Sequence, residues 1–565
     1  MATWQEVASA CQSAVLQSIP EKWRLPSKPD ASVTDVRDIP RTCGLITPQQ
    51  LAITDQTTDE LVTQLATGKL TSVQVTEAFC ARAAIAHQCV NCLTAFYCEE
   101  ALKRAAELDA IFAETGKPVG PLHGIPVAIK DIFAVKGRPS TMAVVAWRGK
   151  DWGFDAPIVA LLKTAGAIHF ASTTMPQTGM MLQTVSPLWG RTLNPFNRSF
   201  AAGGSSGGDG SLVAMHGSPF CPSTDIGGSI RAPAAFNGLY GIRPTADRIL
   251  KTGMLSAAPG QTSIKVSCGP TCHSVSDLKL VTKLLFDYEE YIGFESSAVP
   301  IPWREVQQPK SKLVFGVMRT DGVVKPQPII LRAIDETVEK LKAAGHEVME
   351  IEPPLDLWEA AQVTWKLYFQ TGGKEIKALV GSTGEPLEKT FEWYLKTFGI
   401  KELTVPELFE ASGIIEPSLV QYQLTVGAQT NLKQAAIKRQ FAQLWASTKD
   451  STGTGRPIDA LICPCAPSAS VPHDFPIWWG YFSIWNLLDY PSTIIPLKDF
   501  RISPEKDPKD TTYKPTDNPF DRMNYEIYDP ELWSNLPVCI QIVQQQFRDE
   551  ELLTVTEVLD KVVNA

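Results

Sequence analysis

Residues 203–245 read GGSSGGDGSLVAMHGSPFCPSTDIGGSIRAPAAFNGLYGIRPT, with paired glycines next to serines at 203–208 and again at 227–229. Glycine lets backbone N–H groups approach a ligand closely and tolerates positive φ angles. Several N–H groups that converge beside a serine can form an oxyanion hole, which holds the charged oxygen of an acyl-transfer intermediate. The stretch therefore indicates a nucleophile loop more strongly than a flexible linker.

Two other glycine-rich motifs compete for this stretch. A phosphate-binding P-loop ends in Gly-Lys-Ser or Gly-Lys-Thr, and every Gly-Lys pair of the chain is followed by a different residue. Residues 204–208 do match the G-x-S-x-G elbow of α/β-hydrolases. That elbow also needs a downstream histidine, and no recognisable motif surrounds any of the candidates, His216, His273, His346 and His473. The elbow stays open as an alternative, and the sequence favours a different base.

Lys130 is the candidate base, at the end of the strand-like segment 124–130. An ammonium group inside an apolar body loses hydration, which lowers its pKa and lets the amine accept a proton near neutral pH. Considered alone, the same pattern also fits a lysine at a sheet edge whose charged head reaches water.

Three motifs together resemble the amidase signature family. They are GPLHGIPVAIKD at 120–131, GGSSGG at 203–208 and STDIGGSIRAPAAFNGLYGIRPT at 223–245. Ser205 and Ser229 lie 24 residues apart, which is the separation that the family has between its two catalytic serines. The likeness runs through nearly the whole chain. The resemblance implies one α/β domain over 1–565, with a mixed, mostly parallel twisted β-sheet that helices cover on both faces.

The resemblance also implies a catalytic triad of Ser229, Ser205 and Lys130. Ser229 would be the nucleophile, Ser205, preceded by a cis peptide bond, would relay protons, and Lys130 would be the base. Backbone N–H groups would line the oxyanion hole at Ile226, Gly227, Gly228 and Ser229, and Gly179 would contact the substrate through its backbone. The supporting residues would be Ser206, which would hydrogen-bond to Lys130, Thr224, and Asp225 and Arg231 as a pair that braces the nucleophile loop.

The implied reaction is hydrolysis of a carboxylic acid amide to a carboxylate and ammonia through a seryl acyl-enzyme, without a metal or cofactor. The expected substrates are small aliphatic or simple aromatic amides, and the candidate aromatics of the acyl pocket are Trp365, Tyr368, Trp478, Trp479 and Tyr481. The alternatives are a fatty-acid amide hydrolase, a biosynthetic amidase or acyltransferase on the same triad, and the transamidase subunit that modifies charged tRNA. A more remote one is a catalytically inactive scaffold or binding protein.

The composition of the chain limits the classes of partner that we expect it to bind. The chain has 52 Lys and Arg against 61 Asp and Glu, a net charge of −9, and no basic block, which argues against nucleic-acid binding. No apolar run approaches the roughly 18 residues that span a bilayer. The expected location is cytoplasmic, without membrane contact, and a homodimer is left open.

The 12 cysteines are too dilute for a disulfide scaffold, and the Cys89-x-x-Cys92 pair lacks the second pair of a zinc site.

Along the chain, an N-terminal helical arm over 1–55 precedes the catalytic segments at 120–250, and a helical insertion at 357–447 is expected near the substrate entrance. Capping boxes at Thr57 and Thr71 predict two helix starts. Strands are predicted at 124–130, 167–171, 312–317, 346–351, 459–463 and 538–543, and further helices at 328–344 and 548–563. Such alternation favours parallel strands joined by crossover helices.

Overall fold

The computed structural model describes residues 2–307, 312–400 and 417–565. Its α-helices are α1 (Trp4–Ser18), α2 (Ile39–Thr42), α3 (Pro48–Thr54), α4 (Thr58–Ala66), α5 (Ser72–Val90), α6 (Cys98–Thr115), α7 (Pro157–Thr164), α8 (Gly207–Ala214), α9 (Arg231–Phe236), α10 (Val275–Phe286), α11 (Glu289–Ile292), α12 (Pro328–Ala343), α13 (Leu357–Tyr368), α14 (Lys374–Gly381), α15 (Lys389–Thr397), α16 (Pro417–Ser447), α17 (Gly480–Leu488), α18 (Pro519–Ile527), α19 (Pro530–Trp533) and α20 (Asp549–Val563).

The β-strands are β1 (Leu93–Phe96), β2 (Pro126–Lys130), β3 (Ile168–Thr173), β4 (Val185–Ser186), β5 (Gly190–Arg191), β6 (Phe220–Asp225), β7 (Tyr240–Arg243), β8 (Ser267–Cys272), β9 (Val314–Val317), β10 (Glu347–Glu350), β11 (Ala460–Pro464), β12 (Ser492–Pro496) and β13 (Cys539–Val543). All six strands and both later helices that the sequence predicts are present, within a few residues of the predicted ends.

The predicted capping boxes also form. Thr57 precedes α4, and its hydroxyl oxygen accepts the N–H of Glu60, whose carboxylate accepts the Thr57 N–H in return. Thr71 and Gln74 do the same at the start of α5. Between these helices Gly68 has φ of +68°, a left-handed conformation that favours glycine and ends α4.

Eight strands form the large sheet, in the order β10-β9-β11-β13-β12-β7-β8-β6, and β1, β3 and β2 form a smaller one. The mixed sheet is confirmed, but the prediction that it is mostly parallel is wrong for the described residues. Only β9 has parallel neighbours, β10 and β11, and the other five pairings are antiparallel. The sequence analysis identified apolar strands that lie next to predicted helices, and such strands favour parallel pairing. Strand β8 (SCGPTC) has no apolar run and follows β7 without an intervening α-helix, so it was not identified.

Helices cover both faces of the large sheet, as predicted. Thr493 on β12 shares a hydrogen bond with Thr556 of α20. Thr493 pairs with Ile542 of β13, so the neighbouring Gln541 points to the opposite face. On that face Gln541 donates to the carbonyl of Tyr481 in α17. The side chains of consecutive strand residues therefore contact different helix layers.

The N-terminal arm belongs to the main hydrophobic core, which includes Val7 in α1 and Val563 in α20. The predicted helical insertion at 357–447 contains α13 to α16, and its residues 401–416 lie outside the described part of the chain. Among the described residues, no helix combines the length and the apolar character that crossing a membrane requires.

Candidate active site

Lys130 is the last residue of β2, and its side chain is completely buried. Its Nζ donates to three hydroxyl oxygens, those of Ser205, Ser206 and Thr224, each at 2.8 Å. These groups come from the start of α8 and from β6, so the lysine joins the two serine segments that the sequence singled out. The sheet-edge alternative is wrong, because Lys130 does not reach water.

Burial lowers the pKa of Lys130 to about 8, while the negative charges of Asp209 and Asp225 oppose that shift. Asp209 lies on α8 and accepts hydrogen bonds from the hydroxyls of Thr173 and Ser223. Burial raises the pKa of Asp209 to about 6, against the charge of Lys130. The sequence analysis missed Asp209. The sequence feature that could have identified Asp209 is that it is an acidic residue inside a run of glycine and serine.

Ser205 follows a cis peptide bond at Gly204–Ser205, as the resemblance implies. The N–H of the next residue, Ser206, donates to the carbonyl oxygen of Ser229 at 3.2 Å, which ties the two serine segments together. Ser205 and Ser229 line one cavity. Among the hydrogen bonds of the described residues, none joins the hydroxyls of Ser205 and Ser229, and of these two serines only Ser205 is bonded to Lys130.

Asp225 and Arg231 form the predicted pair, and both side chains are fully buried. The carboxylate of Asp225 also accepts the backbone N–H groups of Gly228, at 2.8 Å, and Ile230, at 3.2 Å. Burial alone would raise the pKa of Asp225, but the charge and hydrogen bonds of Arg231 outweigh it and hold that pKa well below its usual range. An ionised carboxylate at this position holds the turn around Ser229 in one conformation.

Arg231 extends this brace to distant parts of the chain. Its guanidinium donates to the carbonyl of Phe482 at 3.0 Å, to the side chain of Asn486 at 2.6 Å and to that of Gln541 at 2.9 Å. Asn486 in turn donates to Asp225 at 2.8 Å. The predicted nucleophile loop is thus anchored to α17 and to β13, and no local motif could predict these contacts.

The predicted oxyanion-hole amides differ in their partners. The N–H of Gly228 already donates to Asp225, whereas those of Ile226, Gly227 and Ser229 have no acceptor within the described structure. The hydroxyl of Tyr368 donates to the carbonyl of Ile226 at 2.6 Å. In a trans peptide the N–H points opposite to the C=O. The Ile226 carbonyl and the Gly227 N–H belong to one peptide unit, so the N–H points away from Tyr368.

A cavity of about 500 Å³ opens beside these groups, and Ser205, Thr224, Ser229 and Gly179 are among its lining residues. Gly179 has φ of +80°, and a Cβ there would lie 3.0 Å from Cε of Met175. A side chain at position 179 would meet both backbone strain and a close neighbour. The structure therefore places the Gly179 backbone at the wall where the resemblance implies substrate contact.

Of the five candidate pocket aromatics, Tyr368 is the one that lines this cavity in the described structure. Trp365 stacks on Phe398 with ring centroids 4.5 Å apart. Trp478 donates to Asp321, and the hydroxyl of Tyr481 donates to the carbonyl of Val324. Trp479 packs behind the nucleophile loop, since a Cβ on Gly227 would lie 2.9 Å from its ring. These four aromatic residues therefore have packing roles.

The Cys89–Cys92 pair and His473 show no sign of a catalytic or metal-binding role. Cys89 and Cys92 are buried free thiols, and burial raises the pKa of each. His473 has its Nε2 next to the carbonyl of Arg198 at 2.9 Å. Within the described ranges, no group of three or more His, Cys, Asp or Glu side chains could hold a metal ion.

Known proteins match the chain along its length. The Amidase family model matches residues 74–553. An amidase of Gibberella zeae is 47% identical over 564 residues and covers 100% of both chains. An acetamidase of Aspergillus oryzae is 35% identical over 569 residues, with 100% of this chain and 99% of the relative covered. A solved structure of a fatty acid amide hydrolase has a TM-score of 0.90 and 30% identity, and covers 100% of this chain and 95% of that one. The chain belongs to the amidase signature family and is an amide-hydrolysing enzyme.

Proposed function

We propose that Ser229 attacks the carbonyl carbon of a carboxamide, with Ser205 as the proton relay and Lys130 as the base. The observation that carries the proposal is the position of Lys130. Its buried Nζ lies 2.8 Å from the hydroxyl of Ser205, and Ser205 shares a cavity with Ser229. A lysine whose pKa is lowered to about 8 is neutral in a large fraction of molecules at slightly alkaline pH and can accept a proton.

In the first half-reaction, neutral Lys130 takes the hydroxyl proton of Ser205 while Ser205 takes that of Ser229. The Ser229 oxygen forms a bond to the amide carbon, and the carbonyl oxygen becomes an oxyanion. The amides of Ile226, Gly227 and Ser229, which have no other acceptor within the described structure, would donate to this oxyanion. The proton then returns through Ser205 to the amide nitrogen, the C–N bond breaks, and ammonia leaves.

In the second half-reaction, water attacks the ester formed on Ser229. The same relay removes a proton from the water, and the oxyanion forms again in the same hole. When the intermediate collapses, the proton returns to the Ser229 oxygen and the carboxylic acid is released. Asp225 and Arg231 act as positioning residues in both halves, because they hold the loop without touching the reacting atoms.

The proposed substrates are small aliphatic or simple aromatic amides. The similarity to an acetamidase supports this choice, as does a cavity large enough for a short acyl chain or a single ring. The similarity to a fatty acid amide hydrolase favours a second candidate, amides of longer acyl chains, because Met142, Met180 and Met254 give the same cavity a flexible apolar wall. Release of ammonia from a homologous series of primary amides, from acetamide upward, separates the two candidates.

The nucleophile is tested by covalent labelling. A fluorophosphonate probe should label Ser229, as located by peptide mass spectrometry, and Ser229→Ala should lose both the label and turnover. Ser382→Ala is the matched control, since its hydroxyl donates to Leu379 on an exposed helix end and it should keep both. A label on Ser205 or Ser206 in the unmodified protein would contradict this assignment and favour the nucleophile-elbow alternative.

A further inference from the structure

The lining of the catalytic cavity combines apolar side chains with lysines. The apolar part includes Met142, Met254, Leu255, Phe369 and Ile376. The loop over residues 251–266, between β7 and β8, supplies much of the remaining wall and contributes two lysines to it, Lys251 and Lys265. The mechanism uses neither of them.

Both lysines share one carboxylate. The Nζ of Lys265 lies 2.8 and 2.6 Å from the two carboxylate oxygens of Asp247, and the Nζ of Lys251 lies 3.2 Å from one of them. Lys251 also donates to the carbonyl of Ala246 at 2.9 Å. Two ammonium groups against one carboxylate leave one positive charge without a counter-charge within this group.

The other acidic group that acts on Lys251 is Asp489, which already pairs with the buried Arg243. Among the described residues that line the cavity, none is Asp or Glu, and Asp247 itself is not a lining residue. Lys438 on α16 adds a third cation nearby. Burial lowers the pKa of Lys438, Asp489 opposes that shift, and the positive charge of Lys265 lowers it further. Together with Arg243, these lysines outnumber the carboxylates of Asp247 and Asp489, so the net charge of this group is positive.

We propose that Lys265 and Lys251 form a subsite for an anionic group at the far end of the substrate, so that the favoured substrates are amides that carry a carboxylate beyond an apolar spacer. This inference rests on the proposed function. The apolar side chains would hold the spacer, and an ammonium-ended amide would be repelled by the uncompensated lysine charge. A hydrogen bond between a charged donor and a charged acceptor is stronger than one between neutral groups, which makes the terminal carboxylate a selective feature.

The experiment uses the full-length enzyme and three amides of each chain length from four to eight carbons. The first amide ends in a methyl group, the second in a carboxylate and the third in an ammonium group. We expect kcat/KM for the carboxylate-ended amide to exceed that for the ammonium-ended one by roughly tenfold at one or more lengths. A preference below about threefold at every length would overturn the subsite. If none of the three series releases ammonia at any length, the proposed function itself has failed.

Variants locate the selectivity. Lys265→Met keeps the length of the side chain and removes its charge, and it should lower the carboxylate-to-ammonium ratio about fivefold or more. Lys265→Glu should reverse the preference. Lys283→Met is the matched control, because Lys283 is an exposed lysine that pairs with Glu305 and does not line the cavity. A preference that survives in both Lys265 variants would also overturn the proposal.

Discussion

Lys130 combines two opposing influences on its protonation. Burial favours the neutral amine, and Asp209 and Asp225 favour the ammonium ion. The balance leaves its pKa at about 8, below the value of roughly 10.4 for a free lysine. If Lys130 is the base, as proposed, it is active only after it has lost its proton, and the rate should depend on pH around that value.

We therefore expect kcat/KM to rise with pH through an apparent pKa of about 8 and to fall as the pH drops below it. A pH profile with a neutral amide substrate measures this limb. Lys130→Ala should lose it together with most of the rate. Lys130→Arg should do no better, because arginine keeps its proton in proteins. Near-normal turnover of Lys130→Arg would mean that position 130 supplies charge and that the base lies elsewhere.

Asp209 gives a second test of the same balance. Asp209→Asn removes a negative charge that raises the pKa of Lys130, so the limb should move to lower pH by about one unit. Asp321→Asn is the matched control, because Asp321 is also buried with a raised pKa but is not among the groups that shift Lys130. A shift to higher pH in Asp209→Asn, or an equal shift in both variants, would contradict this electrostatic coupling.

At this scale, the sequence allowed the prediction of Lys130, Ser205 and Ser229, because each lies in a long local motif. Tyr368 was predicted only as a candidate pocket aromatic, and neither its hydrogen bond to Ile226 nor the charge of Asp209 beside Lys130 could be predicted in the same way. Asp209 matters only because α8 packs its carboxylate near Lys130, and Tyr368 because α13 brings its hydroxyl to the carbonyl of Ile226. Both roles depend on tertiary contacts, which leave no spacing pattern in the chain.

At the scale of elements, α8 shows why its segment is rich in glycine. This helix starts with Gly207 and Gly208, directly after Ser206. A Cβ on Gly208 would lie 2.5 Å from both the backbone nitrogen and the carbonyl oxygen of Thr174. Thr174, directly after β3, therefore lies so close to α8 that position 208 has no room for a side chain. This contact helps to place Ser205 and Ser206 beside Lys130.

Gly208→Ala should accordingly lower the free energy of unfolding by about 2–3 kcal/mol and reduce turnover, because a backbone neighbour cannot rotate away. Chemical denaturation and ammonia release measure the two effects. Gly381→Ala is the matched control, since Gly381 also lies in a helix, α14, and a Cβ there has no neighbour within 4 Å. It should change stability by no more than about 1 kcal/mol, in the stabilising direction. Equal effects of the two substitutions would show that the contact at Thr174 has no consequence.

The composition of individual strands explains why the sheet was wrongly predicted to be mostly parallel. Strands such as β9 and β13 are apolar and lie next to helical patterns, so the sequence identified them. Strands β6 and β8 contain cysteine, proline, serine and threonine, yet every residue of both is buried. Their backbone groups pair with each other, and polar side chains such as Ser223 and Asp225 bond to Asp209 and Arg231. The alternation of apolar and polar residues reveals neither kind of contact. The antiparallel strands β7, β8 and β6, next to the candidate catalytic serines, were therefore among the strands that the sequence analysis did not predict.

For the molecule as a whole, the candidate site draws on residues that are far apart in the sequence. Lys130 lies in the smaller sheet, Arg231 follows the nucleophile loop, and Gln541 lies on β13 near the end of the chain. The hydrogen bonds of Arg231 to Asn486 and Gln541 connect its loop to α17 and β13, and those of Lys130 to Ser206 and Thr224 connect the smaller sheet to the same part of the molecule. If the chain is one domain over 1–565, as the sequence predicts, the site should persist only while the entire core is folded.

We expect loss of activity, loss of tryptophan emission intensity and loss of fluorophosphonate labelling to follow one transition with a common midpoint in guanidinium chloride, because a single cooperative unit gives coincident transitions by different probes. Guanidinium chloride is preferable to urea, which is itself an amide and could compete for the site. The 14 tryptophans are spread along the chain, so their emission reports on most of the structure.

Gln541→Leu removes an acceptor from buried Arg231 and should move all three midpoints together to lower denaturant concentration. Activity or labelling that disappears at a clearly lower concentration than the change in emission would instead show that the site belongs to a region that unfolds separately, and the single-domain prediction would be wrong.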